Sequence, residues 1–208
     1  MNLYKKILAC LLLGAAPLLL LTMSVTGTFL SALPYGSGAY DTCTFDTCGI
    51  SLLTSGTVNL TATPTTGSVN STAEDEVTVG TDATTGYALT FLDSDTDTTL
   101  ANGANTLGAS SGTQASPITL AVNTWGYRID GLASFGAGPT SAQSSDASPA
   151  YTFAGVPASN QTAHTLKTTS AAANPAETTH VWYGVRINTV KPGGIYTGQV
   201  TYTAVTND

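Results

Sequence analysis

His180–Val205 reads HVWYGVRINTVKPGGIYTGQVTYTAV, and its alternation decides the fold class. Val181, Tyr183, Val185 and Ile187 alternate with Trp182, Gly184, Arg186 and Asn188, the period-two pattern of a strand with one buried face. Tyr196, Val200, Tyr202 and Ala204 alternate in the same way with Thr197, Gln199, Thr201 and Thr203. Lys191-Pro192-Gly193-Gly194 separates the runs with residues that neither a strand nor a helix continues through. The pair is expected to form a hairpin with one apolar and one hydroxyl-rich face. A second layer must cover the apolar face, and residues 56 to 157 have to supply it.

Upstream, the same period recurs in short runs. Val58, Leu60 and Ala62 alternate up to Pro64, Val77 and Val79 mark a second strand, and Tyr87, Leu89 and Phe91 share a face in a third. Thr99–Leu107 is broken by Asn102-Gly103, a two-residue hairpin signal. Trp125–Ile129, Tyr151–Val156 and His164–Thr168 are further strand candidates, while Ala133–Pro149 and Ala171–Ala176 read as loops without a period. No amphipathic helical stretch is present. The expected fold is an all-β antiparallel sandwich, Ig-like or jelly-roll, of about eight to ten strands.

Hydrophobic residues make up 42% of the 208 positions and charged residues only 9%, well under the ~25% of an average soluble domain. Ser, Thr, Ala and Gly take their place. The formal charge is -7, and once Lys5 and Lys6 are set aside only Arg128, Lys167, Arg186 and Lys191 remain as cations. Such a surface repels phosphate backbones, so no nucleic-acid partner is expected. Lys5-Lys6 followed by an uncharged run from Ile7 to Met23 has the form of an export helix, either a signal that is cut or an N-terminal anchor that stays. Membrane contact is expected only through that segment, and the working location is the cell surface or beyond it. The implied division is 1–39 signal or anchor, 40–55 stem, and 56–208 β-domain.

Cys43 and Cys48, in CTFDTC, are five apart and in an oxidising compartment are expected to pair, stiffening the stem. Asp93, Asp95 and Asp97 put three carboxylates on alternate residues after a strand, a set that a turn can bend around calcium, against the more common reading of a solvated acidic turn. The helical calcium loop itself is absent, because Thr98 replaces its glycine and Ala104 its closing Glu. Trp125, Tyr127 and Trp182 are candidates for stacking on sugar rings, against a reading in which they fill the core. His164 and His180 lie in unrelated contexts, and HExxH, GxSxG and phosphate-cradling glycine loops are missing, so no enzyme is expected. Sparse edge lysines leave sheet edges open to a strand from another copy, against the more ordinary reading in which bulges and loops cover the edge.

The runs TTGYALTF (Thr84–Phe91), NTWGYRIDG (Asn123–Gly131), YTFAGVPAS (Tyr151–Ser159), VWYGVRI (Val181–Ile187) and KPGGIYTGQVTYTAV (Lys191–Val205) together resemble a family of exported surface proteins of ultrasmall, candidate-phyla epibiont bacteria. The closing P-x-G-x-Y…V-x-Y strand is more distantly similar to the β-sandwich wall proteins of the WxL type and to the matrix-fibre proteins of the TasA and camelysin type. This resemblance implies a surface location and a β-sandwich, and it brings no catalytic or binding residues. A terminal W-x-L and a wall-sorting motif are missing, which implies a tether through the N-terminus or a partner. The function expected is a structural or adhesive surface component, partnered by copies of itself or by envelope components. The alternative is a calcium-assisted module binding glycans or a host surface.

Overall fold

The computed structural model describes residues 19–27, 49–132, 134–147 and 151–207. Among them there is no helix, and hence none long and apolar enough to cross a membrane. The chain is all-β, with strands β1 (Leu19–Gly27), β2 (Ile50–Leu53), β3 (Thr57–Ala62), β4 (Val69–Thr81), β5 (Tyr87–Asp93), β6 (Leu100–Asn102), β7 (Asn105–Ala109), β8 (Thr124–Ile129), β9 (Gln143–Asp146), β10 (His164–Thr168), β11 (Ala173–Ile187) and β12 (Ile195–Thr206). The bonded order is β10-β5-β12-β6-β7-β8-β11-β4-β2, with β1 joined to β12 and β3, and β9 to β4. Pairing is antiparallel except for β1 with β12 and β7 with β8.

The alternation in β11 and β12 holds, but the expected hairpin does not form. β11 lies between β8 and β4, while β12 is bonded to β5, β6 and β1. The two strands are not neighbours in the ladder, yet the Tyr183 and Tyr202 hydroxyls lie 2.7 Å apart in the core. The physical reason lies in the apolar faces themselves. Side by side in one ladder, both would point the same way and need another cover. Placed apart in the bonded order, both strands still deliver their apolar rows to the same buried core.

Strand number also exceeds the expected range, for local reasons. Ala171–Ala176 contains the start of β11, which joins β4 beyond a register shift between Ala173 and Glu177, and Ala133–Pro149 contains β9. Ile50–Leu53 pairs with Thr78–Thr81, so part of the expected stem belongs to the sheet. Leu19–Gly27, which overlaps the end of the Ile7–Met23 run, is a strand, and residues 7–18 of that run lie outside the described residues. Cys43 and Cys48 lie outside the described residues.

Tyr151–Val156 makes only the bridges Ile118 to Phe153 and Tyr127 to Ala154. It crosses the outer face of β8 and β11, where two glycines clear its path. A Cβ on Gly126 would stand 2.5 Å from the Ala154 carbonyl oxygen, and one on Gly184 would stand 2.4 Å from the Phe153 ring. Gly126→Ala is therefore expected to destabilise the chain by about 1–3 kcal/mol. Gly108→Ala in β7, where nothing lies within 4 Å of the added carbon, should stay within about 0.5 kcal/mol of the parent. Urea midpoints of the two variants check the difference, and equal midpoints would contradict the close crossing.

Candidate functional site

β5 ends at Asp93, and the chain then turns through Ser94–Thr99 beside β12. Backbone bonds from Asp93 N to the Pro157 carbonyl (2.8 Å) and from Ser94 N to the Gln199 carbonyl (2.9 Å) hold the turn in place. The structure thus brings Asp93, Asp95 and Asp97 together on the wall of a cavity of about 430 Å³, shared with Thr99, Thr197 and Gln199. One oxygen of each carboxylate already accepts a backbone N–H: Asp93 Oδ1 from Asp95 (2.9 Å), Asp95 Oδ1 from Thr96 (2.6 Å), and Asp97 Oδ1 from Thr99 (3.0 Å). The run is organised as a capped acidic turn.

Asp93 differs from its neighbours because it is buried. Loss of solvent pushes its carboxyl from 3.8 up to about 6; the Asp95 N–H bond opposes that rise, and the charges of Asp95 and Asp97 add to it.

The three aromatic candidates do not make a groove. Trp125 and Tyr127 are 0% exposed and Trp182 is 3% exposed, so no ring face is open to a sugar. The Trp125 Nε1 donates to the Thr98 carbonyl (2.9 Å), and Tyr127 meets Phe91 edge to face at 4.4 Å between centroids. Trp182 points to the opposite face of β11, as its period requires, yet loops cover that face too. There the buried Arg128, level with Trp182, donates through Nη2 to the carbonyls of Phe135, Gly136 and Ala137 at 3.0, 3.1 and 2.9 Å. Large buried rings supply core area before they supply binding surface.

The histidines stand apart from each other. His164 Nδ1 meets the Tyr127 hydroxyl at 2.7 Å, and burial lowers its pKa. His180 Nδ1 is paired with Glu74 Oε1. Among the described residues neither ring meets a serine or threonine hydroxyl.

Two features of the interior are not visible in the sequence motifs. Asp75 is fully buried beside the tyrosine pair; its Oδ1 accepts the Ser55 N–H (2.9 Å), its side chain also meets the Tyr202 hydroxyl, and desolvation raises its pKa. A hidden alternation, in which Glu74 and Glu76 face outward and Asp75 inward, would have pointed to it.

The second feature is the gap that β1 fills. β1 runs antiparallel to β3 over Leu19–Ser24 and parallel to β12 over Leu20–Gly27. Leu19, Leu21 and Met23 are level with the buried Ala62, Leu60 and Val58, and Leu21, Val25 and Gly27 with the buried Tyr196, Val200 and Tyr202. Among the described strands, β3 has no ladder partner other than β1.

No protein-family model matches the chain, and no curated protein matches it.

Two outcomes follow for this region. The native Asp93 carboxyl holds its proton up to about pH 6, whereas the unfolded chain releases it near 3.8. Its contribution to stability is therefore full below 3.8 and is lost as the pH rises through about 6. Asp93→Asn should flatten part of that fall in urea titrations run across this window; an unaltered pH slope would assign the fall to other groups. Tryptophan emission should be blue-shifted, resistant to acrylamide and indifferent to added oligosaccharide. Ready quenching would mean that the two indoles are open to solvent.

Proposed function

We propose that the chain is an exported, non-enzymatic β-sandwich that acts at the cell envelope as a structural surface component and builds its assemblies by passing a strand between copies. The sandwich description rests on the Tyr183–Tyr202 contact in the core between β11 and β12, which belong to separate stretches of the ladder. The observation that carries the assembly reading is the position of β1. Leu19–Gly27 overlaps the end of the leading run and is separated from β2 by residues 28–48, so the same strand can pair with β3 and β12 of its own chain or of a neighbouring copy. Without it, β3 has no bonded neighbour among the described strands, and β12 loses a parallel partner along Leu20–Gly27. Such a slot has unpaired backbone on both walls and buried apolar residues on alternate positions. Those are the two features by which an added strand is recognised: main-chain bonds give affinity and alternate side chains give register.

A second copy is the natural supplier, because it carries the same nine residues and reproduces every contact of the closed chain. Exchange of an identical element costs little beyond the entropy of association. The acidic, hydroxyl-rich surface accords with this reading, since it keeps single copies soluble while leaving the edge undefended by lysine.

Thr22 and the exposed Asn59 are level across β1 and β3 and offer a direct test. Full-length chains carrying Thr22→Cys alone and Asn59→Cys alone, both in a background with Cys10, Cys43 and Cys48 changed to Ser, are co-produced and oxidised. A disulfide-linked pair of the two chains is expected, together with oligomers in size exclusion and negative-stain microscopy. If the mixed single variants remain uncrosslinked while a double variant closes only within one chain, the strand is not shared and the assembly reading fails.

A further inference from the structure

Glu74, Glu76 and His180 meet on the outward face of the β4–β11 ladder, and the register explains why. His180 is level with Glu76, while Glu74 lies two residues away along β4, opposite Trp182. Residues two apart on a strand share a face, so the three side chains occupy neighbouring places on one surface. Their ligand atoms all lie within 4.8 Å of one another, and the His180 imidazole is already paired with Glu74 through Nδ1. Glu76 and His180 are exposed, and Glu74 is half-buried.

The charge balance of this patch is unusual for the chain. Two carboxylates on alternate residues of one strand repel each other, and among the described residues neither is paired with a lysine or arginine. Lys167 is taken by Glu177 at 2.7 Å and Arg128 by Asp130 at 3.3 Å. A divalent ion held by both carboxylates would offset that repulsion.

We propose that Glu74, Glu76 and His180 form a binding site for one divalent transition-metal ion, with zinc as the best fit. The donor set decides the class. One imidazole nitrogen and two carboxylate oxygens suit zinc, whereas calcium and magnesium favour oxygen alone. Zinc–ligand bonds of about 2.0–2.2 Å in a tetrahedron place donors roughly 3.3–3.5 Å apart. Small rotations of solvent-facing side chains reach that spacing from the present one. Three protein donors leave the fourth position to water. The ion would also join β4 to β11 across their shared ladder, so binding adds to the stability of the fold by linkage. The acidic turn at Asp93–Asp97 lacks this character, since it offers oxygen only and its carboxylates already cap backbone donors. The site stands independently of the strand-exchange reading, because it uses neither β1 nor β3.

Full-length chain stripped with chelator and dialysed is titrated with zinc chloride alone, by calorimetry and by thermal melting, in the background with Cys10, Cys43 and Cys48 changed to Ser. One zinc per chain and a rise in melting temperature are expected, with calcium chloride at the same concentration producing neither. His180→Ala and Glu76→Gln should each weaken zinc binding at least tenfold, and Asp95→Asn should leave it unchanged. Cobalt in place of zinc should give visible absorption bands that His180→Ala removes. Zinc uptake that is absent, or that persists undiminished in both His180→Ala and Glu76→Gln, would overturn the site. Glu76 is exposed, so its variant answers the question even if His180→Ala folds poorly.

Discussion

The contact on which the rest of the fold depends is the meeting of Tyr183 of β11 with Tyr202 of β12 in the core. Tyr183 and Tyr202 are both fully buried, and each hydroxyl finds the other. An aromatic side chain removes about 150–250 Å² from water, and at ~25 cal/mol per Å² of apolar area each buried ring is a large gain. The gain holds only if the phenol oxygens are satisfied, because an unpaired buried hydroxyl costs about 1–3 kcal/mol. The bond between the two tyrosines meets part of that condition, and the Asp75 carboxyl beside Tyr202 supplies a further partner. Around them Phe91 stacks on Tyr202 at 5.8 Å and meets Tyr127 at 4.4 Å. One connected aromatic centre thereby ties β5, β8, β11 and β12 together.

That centre also accounts for where the chain places its acids. Asp75 and Asp93 lie in or against it, and both have raised pKa values because burial disfavours the charged form. On the outside, hydroxyl pairs hold positions that ion pairs take in charge-rich domains: Thr78 meets Thr178 at 2.9 Å across β4 and β11, and Ser94 meets Thr201 at 2.8 Å. Each contributes only a few tenths of a kcal/mol or so. What holds the ladders in register is therefore the pattern of the inward residues, reinforced by glycines placed where one segment must cross another.

Much of the strand content was legible because period two depends only on the residue and its neighbours. Thr57–Ala62, Tyr87–Asp93, the Asn102-Gly103 hairpin, Trp125–Ile129 and His164–Thr168 all lie where their alternation indicates. Pairing was less legible. An apolar face states that it must be covered and does not state by what, so Tyr183 and Tyr202 read as neighbours in one ladder when their strands lie apart in the bonded order. Exposure was the least legible property. Trp182 is correctly out of phase with Tyr183, yet it is buried, because Gly126 and Gly184 admit the Tyr151–Val156 segment and Arg128 binds the carbonyls of Phe135–Ala137 over that same face. Covering of that kind depends on loops with no period, and no local pattern announces it. The Glu74–Glu76–His180 trio was hidden for a related reason, since residues 106 positions apart become neighbours only once the register of β4 on β11 is known.

The leading run poses the sharper problem, because LLLTMSVTG satisfies two patterns at once. Read as a block, it is the tail of an uncharged apolar stretch. Taken every second residue, it is Leu19, Leu21, Met23, Val25 and Gly27 against Leu20, Thr22, Ser24 and Thr26. A bilayer helix needs about 20 apolar residues and has no use for the second pattern. A strand slot of this length needs no more than the nine residues present, and it needs the alternation, since a shift of one position would put Thr22 and Ser24 level with the buried row of β3. Hydroxyls on every other residue are neutral to export and favourable to pairing. The sequence of this stretch therefore carries more information than an export signal requires, and the surplus matches the register of β3 and β12.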